Sequence, residues 1–269
     1  MTMDKILLDH GSGGRMAHHL TTDVLLPLFD NPILSQLNDG AILDINGVRL
    51  AFSTDTFTVD PIFFPGGDIG DLAVNGTVND IAMCGAKPLY LSMGLIMEEG
   101  FPMADLEKIL TSMRAATRKA GVELVTGDTK VVPKGAADKI FINTSGIGLV
   151  PDGVNISGHR ARPGDCVLLS GYIADHGVTV LTRREGMAFE STLKSDTAAL
   201  NHMVGRMLDT AAGLHVLRDP TRGGVGTALN EIALQSKVGV KIFEEKIPVR
   251  PEVAGICDLL GFDPLYLAN

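Results

Sequence analysis

The spacing of apolar and polar residues divides the chain into helices and strands. Apolar side chains recur every three or four residues through Pro102–Ala120, and Gly121 follows, which predicts an amphipathic helix that ends at the glycine. Apolar runs on both sides of Asn46-Gly47, a dipeptide typical of hairpin turns, predict two paired strands. The same reasoning predicts helices near Leu20–Leu28, Ile69–Met83, Val178–Arg184, Ala198–Leu208, Val225–Gln235 and Glu252–Leu260, and strands at Ala41–Ile45, Arg49–Thr54, Leu89–Met97, Val122–Thr126, Ile140–Val150, Val167–Ser170, Leu214–Leu217 and Val238–Phe243.

A turn-rich stretch near the middle of the chain predicts a domain boundary. It begins at Pro151-Asp152-Gly153 and ends at Arg162-Pro163-Gly164. The hairpins favour an α+β class over a doubly wound parallel sheet. We therefore expect a segment with a helix over residues 1–40, an N-terminal domain over residues 41–150 and a C-terminal domain over residues 162–269.

Composition and charge narrow the functional class. The 269 residues are 45% apolar, enough for a sizeable core, and the net charge of −9 argues against a surface that tracks nucleic-acid phosphates. No apolar run approaches the ~18 residues of a membrane span, and the first residues have no signal-peptide pattern. The 3 cysteines, Cys84, Cys166 and Cys257, form no CxxC pair and are expected to be buried thiols in a reducing cytoplasm.

Candidate chemistry lies in acidic residues at the ends of predicted elements. Carboxylates at such ends suit Mg²⁺, which binds oxygen ligands and bridges them to substrate phosphates. Each carboxylate taken singly is more often a helix cap or a turn residue. No Walker lysine loop, GxGxxG motif or GxSxG elbow occurs, so the common nucleotide folds are excluded while nucleotide binding is not. The acidic candidates are Asp39, Asp55, Asp80, Asp128 and Asp219, and the last two adjoin a threonine and a cation.

The sequence resembles the HypE family of NiFe-hydrogenase maturation proteins, within the superfamily of aminoimidazole ribonucleotide synthetase and selenophosphate synthetase. In combination the motifs are highly specific, and they extend from residue 10 to Asn269. The matching stretches are His10-Gly11-Ser12-Gly13-Gly14, Phe52-Ser53-Thr54-Asp55, Phe63-Phe64-Pro65-Gly66-Gly67-Asp68-Ile69-Gly70, Gly76-Thr77-Val78-Asn79-Asp80, Thr126-Gly127-Asp128-Thr129-Lys130-Val131-Val132, Asp175-His176-Gly177 and Asp219-Pro220-Thr221-Arg222-Gly223-Gly224.

The resemblance implies a two-domain PurM-like fold and an ATP-dependent dehydratase. In this family HypF loads a carbamoyl group onto a C-terminal cysteine, ATP phosphorylates the thiocarboxamide oxygen, and loss of phosphate leaves a protein thiocyanate. The cyano group then passes to iron held by HypC and HypD. The resemblance also implies a homodimer whose N-terminal mixed sheets close into a shared barrel, and a C-terminal α/β sandwich.

The resemblance assigns roles to individual residues. Asp39, Asp55, Asp80 and Asp219 fall on the Mg²⁺-ATP carboxylates, with Asp80 also catalytic. The mobile segment that contains Gly11, Ser12, Gly13 and Gly14 would close over the phosphates with its backbone N–H groups. Lys130 would stabilise charge or transfer a proton, and Asp128, Thr129 and Arg222 would contribute to ATP binding. For His176, catalysis and a structural hydrogen bond at a helix start remain open alternatives.

Two departures from the family pattern concern the end of the sequence. Family members continue for several dozen residues and end in Pro-Arg-Ile-Cys, and a glutamate thought to be catalytic follows their match to Leu267-Ala268-Asn269. We therefore expect an incomplete C-terminal domain, Mg²⁺-ATP binding without the full reaction, and no carbamoylation of the three cysteines.

Two alternatives stay open. A sibling enzyme such as a selenophosphate synthetase would carry cysteine or selenocysteine and lysine in the N-terminal glycine segment, where this chain has Ser12 and Arg15. A thiamine-phosphate kinase or a purine synthetase explains Thr126–Val132 less well. A non-catalytic assembly scaffold is the alternative from another class, and it predicts no Mg²⁺-dependent ATP binding.

Overall fold

The N-terminal half of the molecule is a five-stranded sheet with two long helices on one face. The computed structural model describes residues 5–187, 192–211 and 213–269. The strands are β1 (Ala41–Ile45), β2 (Val48–Phe57), β5 (Lys87–Glu98), β6 (Glu123–Val132) and β7 (Ile140–Leu149), and a short separate hairpin forms from β3 (Phe63–Phe64) and β4 (Gly67–Asp68). The strand order in the sheet is β1-β2-β7-β5-β6, with β5 and β6 parallel and the other pairs antiparallel.

The predicted hairpin turn is confirmed. Ile45 pairs with Val48 across the turn, and Asn46 and Gly47 both have positive φ, 54° and 83°. Two consecutive positive φ values are what a type I′ turn requires, and its twist matches that of the two strands. The turn thus sets the register of β1 on β2. This register determines where Asp39, which leads into β1, lies along β2.

Helix α3 (Ile69–Met83) is the centre of the N-terminal core, and α4 (Met103–Ala120) packs beside it. The α3 side chains Ile69, Val74, Val78 and Ile81 are fully buried or nearly so, together with Leu91 and Ile142 from the sheet. Asp68 caps α3 by accepting hydrogen bonds from the backbone N–H groups of Gly70 and Asp71. The last turn of α3, which carries Asp80, is held against the sheet by the fully buried side chains of Val78 and Ile81.

No helix among the described residues packs across the outer face of this sheet. Phe52, Tyr90, Ile96, Ile147 and Leu149 point outward and are each between 37% and 44% exposed. Edge strand β6 pairs with β5 only, and all but its last residue are exposed. The sheet is thus buried on one side and open on the other.

In the N-terminal 40 residues and in the C-terminal half, the described regular elements are helices joined by irregular segments. Before β1 lie α1 (Arg15–His19), a π-helix (Leu20–Leu25) and α2 (Leu26–Phe29), where one continuous helix is predicted. After the sheet come α5 (Asp175–Arg184), α6 (Asn201–Thr210), α7 (Gly224–Ser236) and α8 (Pro251–Leu260), each within three residues of its predicted bounds. None of the described helices combines the length and apolar character needed to cross a bilayer.

Three predicted strands are wrong for this structure. Val167–Ser170, Leu214–Leu217 and Val238–Phe243 do not form strands, because none of them is paired in a ladder with another described segment, and a single backbone bond such as that from Ser157 N–H to the carbonyl oxygen of His215 does not make one. Their apolar side chains stay in contact with solvent, and Leu168 is 83% exposed. Of the predicted C-terminal sandwich, the described residues form helices and turns without a sheet.

Two cysteine predictions are confirmed and one is wrong. Cys84 and Cys257 are buried, whereas Cys166 is exposed. Cys166 directly precedes the predicted strand Val167–Ser170, and because that strand does not form, the thiol stays exposed.

The side-chain amides of Asn75 and Asn79 on α3 bind the C-terminal half of the chain. Asn79 donates a hydrogen bond to the carbonyl oxygen of Ala198 at 3.0 Å and accepts one from the backbone N–H of Leu200 at 2.8 Å. Asn75 donates to the hydroxyl of Thr197 at 3.0 Å. These bonds hold the segment before α6 along the helix that carries Asp80.

Candidate functional site

The structure brings the four predicted metal-binding aspartates together where the two halves of the chain meet. Asp39 leads into β1, Asp55 lies near the end of β2 and Asp80 lies in the last turn of α3. Asp219 comes from the C-terminal half, in the irregular segment before α7. Their charges act on one another: Asp39 and Asp55 both raise the pKa of Asp80, and Asp219 raises the pKa of Asp39 and of Asp80.

Ser53 joins two of the four aspartates. Its hydroxyl lies 2.7 Å from Oδ2 of Asp80 and 2.9 Å from the carbonyl oxygen of Asp39. Ser53 is buried because it sits on the helix-facing side of β2, where the period of two places Ala51 and Phe57 as well. The alternation of β2 thus fixes the distance between the end of α3 and the start of β1.

Burial is the main cause of the raised pKa values of Asp39, Asp80 and Asp219. It raises the pKa of Asp39 to about 8, with Asp219 and Glu231 adding to the rise and Arg218 opposing it. It raises the pKa of Asp219 to about 6 and that of Asp80 well above its usual value. The neighbouring thiol of Cys84 has a pKa of about 12 for the same reason. Carboxylates in this state are stabilised by a cation that replaces their protons.

Two arginines carry positive charge into the cluster from either side of Asp219. Nη1 of Arg218 lies 2.7 Å from Oδ1 of Asp39, and its Nη2 forms an ion pair with Glu231 on α7. Nη2 of Arg222 lies 3.6 Å from Oδ1 of Asp55, and its side chain is largely exposed. Sequence reasoning found Arg222 but missed Arg218 and Glu231. The signal for Arg218 was its position next to Asp219.

The donor set suits a magnesium ion shared with phosphate oxygens. Oδ2 of Asp219 is buried and has no hydrogen-bond partner in the described part of the chain. Among the described residues, no three or more histidine, cysteine, aspartate or glutamate side chains are grouped so that they could hold a metal ion. Mg²⁺ is commonly held by one or two carboxylates together with substrate phosphates and water. The residues present therefore fit Mg²⁺ in that arrangement.

The N-terminal glycine segment, Gly11–Gly14, lies directly against the segment that carries Arg218 and Arg222. A side chain at Gly13, which has a φ of +79°, would place its Cβ 2.4 Å from the carbonyl oxygen of Arg222. Gly11 and Gly13 line a cleft of about 310 Å³ together with Asp39, Asp219 and Arg222. Gly14 caps α1, and the Ser12 hydroxyl donates to the carbonyl oxygen of Asp9 at 2.9 Å. Glycine is required here because the two backbones touch.

The predicted ATP-binding residues of the Asp128 motif lie elsewhere in this chain. Asp128, Thr129 and Lys130 are on edge strand β6 and are exposed. Nζ of Lys130 lies 2.9 Å from Oδ2 of Asp128, and the side chains are 68% and 73% exposed, respectively. The motif runs through the strand up to Val132, so the strand extends beyond its predicted end at Thr126. Within the described residues, these side chains are not among those that line the cleft.

His176 is the second residue of α5 and is largely buried. Its Nδ1 lies 2.8 Å from the hydroxyl oxygen of Ser195, and its ring meets the ring of Phe64 edge-on with centroids 5.4 Å apart. Burial lowers the pKa of His176 to about 4, so the ring is neutral near pH 7. These contacts match the structural alternative, since they join α5 to the β3–β4 hairpin rather than to the aspartates.

Both halves of the chain match known domain families. Residues 37–150 match the N-terminal domain of AIR synthase related proteins, and residues 162–269 match the C-terminal domain of the same proteins. The predicted two-domain PurM-like fold is confirmed.

Curated relatives carry the same name as the family that the motifs resemble. Carbamoyl dehydratase HypE of Cupriavidus necator is 53% identical over 266 residues, which are 98% of this chain and 76% of the relative. Carbamoyl dehydratase HypE of Escherichia coli K12 is 46% identical over 272 aligned positions, covering 99% of this chain and 81% of the relative. The chain thus spans about three quarters or more of the length of these relatives.

Solved structures agree with these matches. A hydrogenase maturation protein HypE in complex with ATP is 57% identical, with a TM-score of 0.81 over 98% of this chain and 79% of that chain. A HypE–HypF complex superposes with a TM-score of 0.89 at 51% identity, over 93% of this chain and 81% of that chain. Thiamine monophosphate kinase of Aquifex aeolicus shares the fold at 20% identity and a TM-score of 0.70. The chain therefore belongs to the HypE family of carbamoyl dehydratases.

Proposed function

We propose that this protein dehydrates a cysteine S-carboxamide to a thiocyanate at the expense of ATP. The reaction would supply the cyanide ligand for the iron of a NiFe hydrogenase, with HypF as the carbamoyl donor and the HypC–HypD complex as the cyanide acceptor. The observation that carries the proposal is the cluster of Asp39, Asp55, Asp80 and Asp219 beside the cleft, in a chain of the HypE family. Free cysteines and family membership support a location in the cytoplasm.

The oxygen of the thiocarboxamide is a poor leaving group, and its phosphorylation by ATP makes it a good one. The thiocarboxamide oxygen attacks the γ-phosphorus of ATP, and ADP leaves while the nitrogen loses one proton. The nitrogen then loses its second proton, the carbon–nitrogen triple bond forms and the carbon–oxygen bond breaks with phosphate as the leaving group. Little covalent chemistry falls to the protein, so positioning and charge stabilisation are the terms it must provide.

The described contacts support a division of labour among the site residues. Asp39, Asp55, Asp80 and Asp219 would hold Mg²⁺, which offsets the negative charge that develops on the transferred phosphoryl group. The backbone N–H groups of the Gly11–Gly14 segment would bind phosphate oxygens, because this segment lines the same cleft. Arg222 is mostly exposed and can turn from Asp55 toward a phosphate.

We also propose that the protein is a homodimer and that Lys130 acts in the site of the partner protomer. The outer face of the sheet exposes Phe52, Tyr90 and Ile147, which are adjacent in register across β2, β7 and β5. Such an apolar face favours a second copy, and a closed barrel would remove the open edge at β6. Lys130 and Asp128 on that edge would then reach the second protomer.

Mixed dimers test this arrangement. Asp80→Asn and Lys130→Ala are each expected to lower turnover when present in both protomers. Mixing the two variants is expected to restore part of the activity, because one of the two sites then has an intact aspartate cluster and an intact lysine. Sedimentation at about 28.5 kDa, the mass of one chain, would contradict the dimer.

Mass spectrometry tests the reaction itself. A protein of the relatives' full length is incubated with HypF, carbamoyl phosphate and ATP, and the expected product is one water lighter than the carbamoylated form. A carbamoyl adduct that never loses water in the presence of ATP and Mg²⁺ would contradict the dehydratase. An adduct-free protein that phosphorylates a small molecule would favour a kinase of the same fold.

Calorimetry separates the enzyme from an assembly scaffold. The acidic cluster predicts ATP binding that needs Mg²⁺ and disappears when EDTA is added. A scaffold predicts no binding in either condition.

A further inference from the structure

Three consecutive residues that lead into β1 are each bound by the C-terminal half. The carbonyl oxygen of Leu37 accepts a hydrogen bond from Nε2 of Gln235 at 3.2 Å. Oδ1 of Asn38 accepts from the backbone N–H of Gly158 at 3.1 Å. Asp39 follows with its ion pair to Arg218. The start of the strand is thus positioned by groups on the other half of the chain.

Helix α7 lies behind two of these three contacts. Glu231 and Gln235 are four residues apart and therefore share one face of the helix. Gln235 contacts Leu37 directly, whereas Glu231 contacts Asp39 through Arg218. The same helix lines the cleft with Gly224 and Thr227 in its first turn. One rigid element therefore connects the wall of the cleft to the carboxylate of Asp39.

The geometry of Arg218 suits a bridge rather than a surface ion pair. Its side chain is 13% exposed, and that of Asp39 is 16% exposed. The two terminal nitrogens of the planar guanidinium each take one carboxylate, Nη1 that of Asp39 and Nη2 that of Glu231. Arginine holds two partners at a fixed angle in this way, which the single ammonium of lysine does not.

We infer that Arg218 is a positioning residue: it fixes the carboxylate of Asp39 for metal binding by tying it to Glu231 on α7. This inference rests on the proposed function, since it concerns the Mg²⁺-nucleotide site. In the chain of contacts Glu231–Arg218–Asp39, Arg218 acts through Asp39. A ligand in the cleft that displaces the first turn of α7 would also displace Asp39, because the same contacts connect the two.

If Arg218 positions Asp39, its replacement should lower the affinity of the site for metal in the presence of nucleotide. Mn²⁺ replaces Mg²⁺ in the experiment because its electron paramagnetic resonance signal reports the free ion directly. Mn²⁺ is titrated into the whole protein with a saturating non-hydrolysable ATP analogue, and binding of the analogue alone is measured without metal. The variants are Arg218→Met, Arg218→Lys and Glu231→Gln, with Arg114→Met on the exposed face of α4 as the matched control.

Arg218→Met is expected to raise the apparent Kd for Mn²⁺ about tenfold, a factor that corresponds to about 1.4 kcal/mol. Arg218→Lys is expected to fall between wild type and Arg218→Met, because lysine keeps the charge but holds one carboxylate. Glu231→Gln is expected to weaken metal binding about threefold, although Asp39 and Arg218 are both intact. Arg114→Met should leave the Kd unchanged.

Non-additivity provides the second readout. In the double variant Arg218→Met with Glu231→Gln, the Kd for Mn²⁺ should equal that of Arg218→Met alone, since both changes break one chain of contacts. Melting temperatures show which variants are folded, and Glu231→Gln serves where Arg218→Met does not fold.

Two results would overturn the inference. The first is unchanged Mn²⁺ affinity in Arg218→Met, and weaker binding of the metal-free analogue beside it would mean that Arg218 contacts the nucleotide itself. The second is tighter metal binding in Glu231→Gln. If the wild-type protein binds no metal-nucleotide complex at all, the proposed function fails and the inference fails with it.

Discussion

The two halves of the molecule contribute to the candidate site in different ways. The N-terminal half provides Asp39, Asp55 and Asp80 from a sheet and helix with one continuous buried core among the described residues. The C-terminal half provides Arg218, Asp219 and Arg222 from an irregular segment, and its described core consists of smaller clusters. Three of the four acidic groups thus come from the sheet, its entry and its main helix, while the fourth acid and both compensating cations come from an irregular segment.

The largest expected effect comes from the rigid half. Asp80→Asn in a full-length protein is expected to lower ATP turnover about a hundredfold or more, because a metal ligand contributes several kcal/mol to phosphoryl transfer. The measurement is steady-state phosphate release, and Asp105→Asn on the surface of α4 is the control. Turnover near that of the control would remove Asp80 from the site.

Matched core substitutions test whether the two halves differ in packing. Ile109 on α4 is fully buried in the N-terminal core, and Ile256 on α8 is 7% exposed in a C-terminal cluster. Truncation to alanine should lower the free energy of unfolding by about 4 kcal/mol at position 109 and about 2 kcal/mol at position 256. Urea denaturation followed by circular dichroism measures both. Equal losses would show that the C-terminal core is as well packed as the N-terminal one.

The pH dependence of stability separates a buried acid of the site from a buried base outside it. The folded-state pKa of Asp219 is raised to about 6 from its ordinary value of 3.8, so its proton is held more tightly in the folded state. Stability that Asp219 contributes below pH 4 is lost as the pH rises to about 6. Asp219→Asn should therefore raise the melting temperature relative to wild type increasingly between pH 4 and 6, and by a constant amount above.

His176 gives the opposite slope. Its folded-state pKa of about 4 lies below the ordinary 6.5, so the unfolded state binds the proton more readily and stability falls as the pH drops from 6.5 to 4. His176→Asn should remove this acid-side loss. The melting temperatures of the two variants at pH 4.5, 6 and 8 check both signs, and parallel curves for wild type and variants would contradict the assignments.

The smallest expected effect concerns the stability contribution of Lys130. Its pair with Asp128 is exposed on both sides and screened by water, so Lys130→Met should leave the free energy of unfolding nearly unchanged. Urea denaturation measures the free energy of unfolding of both proteins. A large loss of turnover with so small a change in stability would assign Lys130 to chemistry, and a large loss of stability would instead assign it to the fold.

The sequence by itself determined the elements of the N-terminal half and the identity of the acidic residues. Asn46-Gly47 predicted the hairpin, periodicity predicted α3 and α4, and the motifs around Asp55, Asp80 and Asp219 predicted that these residues act together. Such signals are local, because turn type and helical periodicity depend on residues that are close together in the sequence. The family motifs then added what spacing could not, namely the kind of reaction.

Only the tertiary structure decided which residues meet and which apolar runs are buried. Arg218 pairs both with Glu231, 13 positions away, and with Asp39, far away in the sequence, and no local pattern specifies either contact. Val167–Ser170 has the composition of a strand, but a strand needs a hydrogen-bonded neighbour, so the run stays exposed and Cys166 with it. Lys130 carries a motif typical of catalysis, yet β6 places it at an open edge, because pairing order is set by the whole sheet rather than by the strand.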